Sequence, residues 1–125
     1  MELNGDSKLL RIFIGERDKI GHQYLYEAIL MAAKERELAG CTVIRGIMSY
    51  GASSRVHAAR LIEISQDLPI IVEIVDKEEK INAFVDVAGG LLEKAGCGGL
   101  ITIEKAGVLY YKPGPKKYRP KSDNP

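Results

Sequence analysis

Tryptophan is absent from these 125 residues, phenylalanine occurs twice, and cysteine occurs only as Cys41 and Cys97. Two cysteines cannot build a disulfide framework, and their spacing matches no zinc pattern. Both are read as small residues of a type suited to burial. No apolar run reaches the roughly 18–20 residues needed to span a bilayer. Residues 1–8 lack the apolar core of a secretory signal, so a cytoplasmic location is expected. The sequence also contains no G-x-S-x-G elbow, H-E-x-x-H pair or P-loop. His22 and His57 have no metal-ligand spacing and are read as solvated histidines in separate loops. A non-enzyme without a resident metal is therefore expected.

What is present suits one compact domain. Hydrophobic residues make up 46% and charged residues 28%, which excludes disorder throughout the chain. The net charge of +1 is unevenly distributed. From Lys112 to Pro125 there are five basic residues, one acidic residue and four of the five prolines. Residues 1–111 consequently carry a net charge of −3. The expected organisation is a domain over 1–111 and a basic, proline-rich tail over 112–125. The tail has too little apolar surface to offset its ordering entropy and is expected to be disordered.

Apolar β-branched runs predict strands at 9–14, 41–47, 69–75 and 100–104, with a short fifth strand at 108–111. Helical periodicity covers 23–38, where Leu25, Ala28, Ile29 and Ala32 form the stripe and Gly40 supplies the stop. A second helix carries Ile81, Phe84, Val85, Ala88, Leu91, Leu92 and Ala95 along one face. Asp76 and Glu79 suggest a capping box at its start. Gly89-Gly90 within it has two readings, close approach by another backbone or a neighbouring subunit, and plain tolerance of glycine in the helix. Met48 to Asp67 reads as a long hairpin arm. The order β-α-β-(arm)-β-α-β-β is that of an α+β, ferredoxin-like split βαβ fold, an antiparallel sheet with two helices on one face. Its open face needs a cover, for which another copy is the simplest candidate.

Three glycine-rich polar segments remain as candidates for chemistry: Gly15 to Asp18, Arg45 to Arg55 and Lys94 to Gly99. Glycine lets backbone N–H groups turn towards an anion, and arginine supplies a two-pronged clamp. The candidate ligand-binding residues are Gly40, Thr42, Arg45, Gly46, Gly51, Ser53, Ser54, Arg55, Gly96, Gly98 and Gly99. RNA binding through the sheet requires stacking aromatics, and Phe13 is the only one on a central strand. No nucleic-acid partner is expected.

The runs Gly40 to His57, Ile14 to Asp18, Leu25 to Ile29 and Asp67 to Asp76 resemble a PII-like family known as domain of unknown function one-ninety. The resemblance extends from about residue 9 to 111. More distantly, the chain is similar to the nitrogen-regulatory PII proteins. That resemblance implies a homotrimeric regulator with an adenine nucleotide in clefts between subunits and a signalling loop between the second and third strands. Gly40-x-Thr42 resembles the segment beside the nucleotide, 48–67 takes the place of the loop, and Gly96-x-Gly98-Gly99 resembles the phosphate turn. A protein partner such as a membrane transporter or channel is implied. Two departures stand out: only Lys94 and Lys105 lie near the glycine turn, and Tyr50 is at the loop's base rather than its tip. The rival readings are a metal- or ion-responsive trimer, using His57, Cys41 or Cys97, and a small enzyme acting through Arg55 and His57.

Overall fold

A computed structural model describes residues 5–50, 56–58 and 67–115. The chain runs β1 (Gly5–Gly15), β2 (Lys19–Ile20), β3 (Gln23–Tyr24), α1 (Leu25–Glu35), β4 (Thr42–Arg45), β5 (Met48–Tyr50), β6 (Val56–Ala58), β7 (Pro69–Asp76), α2 (Glu78–Ala95) and β8 (Leu100–Val108). Four strands form one sheet in the order β4-β7-β1-β8, with every neighbouring pair antiparallel. The central pair, β1 and β7, matches Leu10 with Ile74 and Ile12 with Val72. The expected α+β architecture, with its antiparallel sheet and ferredoxin-like strand order, is the one observed.

Alternation along the strands decides which face the helices cover. Leu10, Ile12 and Ile14 of β1 and Ile70, Val72 and Ile74 of β7 are buried together. Against them α1 places Leu25, Ile29 and Ala33, and α2 places Ile81, Phe84, Ala88 and Leu92. Steps of three and four residues keep these side chains on one stripe of each helix. Burying Phe84, at 1% exposure, contributes roughly 1.5–3 kcal/mol by removal from water. The intervening residues Leu9, Arg11, Phe13, Ile71, Glu73 and Val75 are only half-buried and form the other sheet face.

Several local expectations are corrected. The fourth and fifth strands are one continuous β8, paired with β1 from Leu100–Phe13 to Val108–Gly5. Leu109 to Tyr111 leave the sheet. Gly40 does not stop α1. The helix ends at Glu35, and Glu37 turns left-handed at φ 57. A non-glycine residue is unfavourable there. Lys80 Nζ donates to the Glu37 carbonyl at 2.6 Å and holds the turn.

Asp76 is not the cap of α2, since Lys77 occupies that position. It is 1% exposed and accepts from the Ala39 and Lys77 backbone N–H groups at 2.9 and 2.7 Å. A Cβ at Gly89 or Gly90 would meet nothing within 4 Å, so no backbone among the described residues crowds them. The base of the arm is a hairpin in which Met48 to Tyr50 pair with Val56 to Ala58. His57 therefore lies on β6 rather than in a loop, and His22 is in the β2–β3 turn, exposed. Residues 51–55, 59–66 and the tail from 116 onward lie outside the described residues. No helix among those described is long and apolar enough to cross a membrane.

Candidate functional site

The candidate residues separate between the two ends of β4. At its start, Gly40 and Thr42 line a cleft of about 330 Å³ on the sheet face away from the helices. Its floor is Leu9 and Val75, which are cross-strand partners, with Glu73 two residues from Val75 on the same side of β7. Ala39 to Thr42 form one wall, and Val108, Tyr110 and Tyr111 form the other. This second wall was not foreseen. After β8 the chain crosses towards the far edge of the sheet, where Tyr111 Oη donates to the Ala39 carbonyl at 3.3 Å. Asp76 fixes Ala39 from behind through its N–H, so the rim residue is held on both sides.

Among the described residues, the cleft is lined by a carboxylate but by no lysine or arginine. Arg11, next to Glu73 across the sheet, is already engaged. Its Nε contacts Glu73 Oε2 at 2.9 Å and its Nη1 contacts Glu104 Oε2 at 2.8 Å. These hydrogen bonds raise the Arg11 pKa above its ordinary value, Glu73 contributing most and Glu104 next. The triad carries a net charge of −1, so this end favours groups that donate hydrogen bonds over an anion. Burial pushes the half-buried Cys41 thiol in the cleft wall up to about 11, which keeps it protonated and unreactive at neutral pH. Beside it, a smaller apolar hollow of about 220 Å³ lies between Leu30, Ala33, Lys34, Leu38 and the Gly40–Cys41 backbone.

At the other end of β4, Arg45 and Gly46 approach the loop that follows β1. Arg45 Nη2 bonds Glu16 Oε2 at 2.7 Å, an exposed pair that the sequence did not suggest. The Gly46 N–H donates to the Pro69 carbonyl at 2.7 Å, and a Cβ on Gly46 would lie 2.8 Å from Pro69 Cγ. Asp18 Oδ2 accepts from the Gly15 N–H, and Asp67 Oδ1 from the Arg17 N–H, at 2.8 and 2.7 Å.

The glycine turn after α2 lies at this same end but at the opposite sheet edge, three strand spacings or roughly 14 Å from β4. Gly96 closes α2 at φ 66, in the left-handed region that suits glycine. A Cβ on Gly99 would stand 2.7 Å from Leu92 Cδ2 and 3.1 Å from the Phe13 carbonyl. Of the three, only Gly98 has both open space around it and a φ outside the left-handed region. Cys97, next to it, is raised to about 11 by desolvation first and Asp18 next.

Within the chain, then, Gly40 and Thr42 share a cleft, Arg45 and Gly46 share a loop contact, and the Gly96–Gly99 turn stands apart from both. Gly51, Ser53, Ser54 and Arg55 lie outside the described residues. Cys41 and Cys97 sit in different parts of the fold. Among the described residues, no cluster of three or more His, Cys, Asp or Glu side chains is placed to hold a metal. Glu73 was not singled out from the sequence, although a lone acid on the alternate face of an otherwise apolar strand is a signal that could have found it. Nothing local signalled Tyr111, whose role depends on a carbonyl 72 positions earlier.

Comparison with known proteins places the fold and the sequence among relatives. CPII, a nitrogen regulatory PII-like protein from Thiomonas intermedia K12 bound to ADP, AMP and bicarbonate, superposes with a TM-score of 0.63 at 16% identity. The match covers 82% of this chain and 88% of that one. A putative PII-like signaling protein from Thermus thermophilus gives a TM-score of 0.59 at 16% identity, over 87% and 94%. These similarities establish a shared PII-like fold. A UPF0166 protein of Aquifex aeolicus (strain VF5) is 40% identical over 103 residues, covering 82% of this chain and 93% of that relative. Residues 7–108 match the family described as DUF190, Uncharacterized ACR, and the chain belongs to that family.

Proposed function

We propose that this protein is a ligand-sensing regulator of the PII-like kind rather than an enzyme, and that its effector is an adenine nucleotide. The observation that carries this reading is the cleft between the sheet and the Val108–Tyr111 segment. Its apolar floor and its one tyrosine-bearing wall suit a planar ring. Thr42, Glu73 and the Gly40 backbone offer hydrogen-bonding groups at its edge. The structural neighbour bound to ADP, AMP and bicarbonate supports the choice of nucleotide.

The anionic end of the effector belongs elsewhere in this reading, because the cleft has no basic side chain among its described lining residues. A neighbouring copy supplies it in this reading. The open sheet face leaves Ile44 40% and Leu100 56% exposed, and such a face needs a cover. A cyclic homotrimer brings the β8 edge of one copy, with its Gly96, Gly98 and Gly99 turn, beside the β4 edge of the next. Gly98 and Gly99 N–H groups, with Arg45, then receive the phosphates, while Gly46, its N–H held by the Pro69 carbonyl, shapes the turn beside them. Freeing Arg45 from Glu16 costs little, since the pair is exposed and such pairs contribute about 0–1 kcal/mol. The arm 48–67, including Gly51, Ser53, Ser54 and Arg55, changes position on binding and alters affinity for a protein partner, such as a membrane transporter or channel. Effector and partner are coupled only if the effector binds the two arm states unequally.

Isothermal titration with ATP, ADP, AMP and cyclic AMP, with and without magnesium, tests the effector. Micromolar binding near one site per subunit supports the reading, and no heat across the panel removes the nucleotide from it. Limited proteolysis at Arg55 and Arg60 tests the arm. Cleavage unchanged by a saturating effector eliminates the arm as the switch.

A further inference from the structure

Thr42, Glu73, Arg11 and Thr102 are successive cross-strand partners, one from each strand of the sheet. Glu104 stands opposite Leu9, in the adjacent row. Arg11 reaches both acids with different nitrogens, and on each it engages the Oε2 oxygen. As a surface triad this would contribute little, since exposed ion pairs are worth about 0–1 kcal/mol. Its position gives it another consequence, because Glu73 also lines the cleft. With Oε2 taken by Arg11, Oε1 is the oxygen left for a ligand. A charged carboxylate accepts hydrogen bonds and donates none.

We propose that Arg11 is a positioning residue that holds Glu73 as an acceptor-only wall, so that the cleft selects an amino-bearing ring over its oxo counterpart. This rests on the cleft being the seat of the effector's ring. An exocyclic amino group places an N–H against the free Glu73 oxygen. An oxo group at the same position places a lone pair there instead, leaving two acceptors face to face. Glu104 contributes by occupying the second arm of the guanidinium, which fixes the plane of Arg11 and keeps its charge away from the ligand.

The test is paired titration of the full chain with ADP and its 6-oxo analogue, inosine diphosphate. The wild-type protein is expected to prefer ADP by on the order of tenfold, the scale of one hydrogen bond to a charged group. Glu73→Gln should bring the preference close to unity while both nucleotides still bind, because an amide can either accept or donate. Arg11→Gln should reduce the preference as Glu73 loses its anchor, and Arg11→Lys should restore only part of it. A merely structural Arg11 would alter the melting temperature without altering the ratio.

Equal binding of the two nucleotides by wild type overturns this inference while leaving the effector reading intact. Binding of neither overturns both. A folded Arg11→Gln protein with the wild-type ratio overturns the positioning role. Should that variant not fold, an unchanged ratio in Glu73→Gln overturns the proposal equally.

Discussion

The two ends of the β4 strand make opposite uses of the same kinds of residue. At the Arg45 end, glycines are required by packing: Gly46 lies under Pro69, and Gly99 is wedged between Leu92 and the Phe13 carbonyl. At the Thr42 end, Gly40 has nothing within 4 Å of a hypothetical Cβ and borders a cleft. A glycine-rich run therefore reports a constraint on the backbone without revealing its source. A close neighbour and a bound anion leave the same trace in sequence. Charge follows a similar contrast. An exposed Arg45 pairs with a single part-buried loop acid, whereas Arg11 is shared by two acids at the cleft end.

The largest effect that would break this comparison is expected at the buried support of the cleft end. Asp76→Ala leaves the Ala39 and Lys77 N–H groups without their acceptor and should cost about 3 kcal/mol in chemical denaturation. A loss below about 1 kcal/mol, the net worth of a single ordinary hydrogen bond, would mean that Asp76 does not anchor the rim.

Next is the packing end, where Gly99→Val should destabilise by about 2 kcal/mol through overlap with Leu92 and Phe13. Gly98→Ala should change stability by less than about 0.5 kcal/mol, having no neighbour to strike. If Gly98→Ala nevertheless weakens nucleotide binding, Gly98 belongs to the ligand site.

Smaller still, Tyr111→Phe removes the hydroxyl that spans to Ala39 and should cost about 1 kcal/mol or less. Amide exchange of residues 109–112 should accelerate in that variant, and unchanged exchange would show that the segment is held by packing alone.

The smallest effect is at the thiols. Cys41 and Cys97 have folded pKa values of about 11 against an ordinary 9.0. The folded state thus holds these protons more tightly, so their contribution to stability is complete below about pH 9 and fades as pH rises towards about 11. Alkylation of the native protein should be slow at about pH 7.5 and accelerate only above about pH 9. Rapid labelling at neutral pH would contradict the desolvation that raises them.

Much of the fold was legible because its signals are periodic. Leu10, Ile12 and Ile14 alternate, and Ile81, Phe84, Ala88 and Leu92 recur at helical spacing, so core faces follow from short stretches of chain. The element ends were less legible. Glu37, rather than Gly40, takes the left-handed turn after α1 because Lys80 of α2 holds its carbonyl. Asp76 was readable as a polar residue at a strand–helix boundary, but its tie to Ala39 required knowing which loop lies above it. Of the residues lining the cleft, Gly40 and Thr42 were named from the sequence, whereas Glu73, Tyr111 and, at the other end of the strand, the Glu16 partner of Arg45 were not. Each of the missed residues acts across strands or across the sheet.

The sequence by itself determined the element types, the buried face of each helix and the order that makes a split βαβ sheet. Those depend on local periodicity and on the limited ways a strand can return to its neighbour. Only the tertiary structure decided which polar residues meet. Arg11, Glu73 and Glu104 lie on three strands, and Tyr111 reaches Ala39 over the sheet edge. Hydrogen bonds and ion pairs act over about 3–4 Å and depend on direction. Their partners are therefore fixed by register and packing, which no local run of residues records.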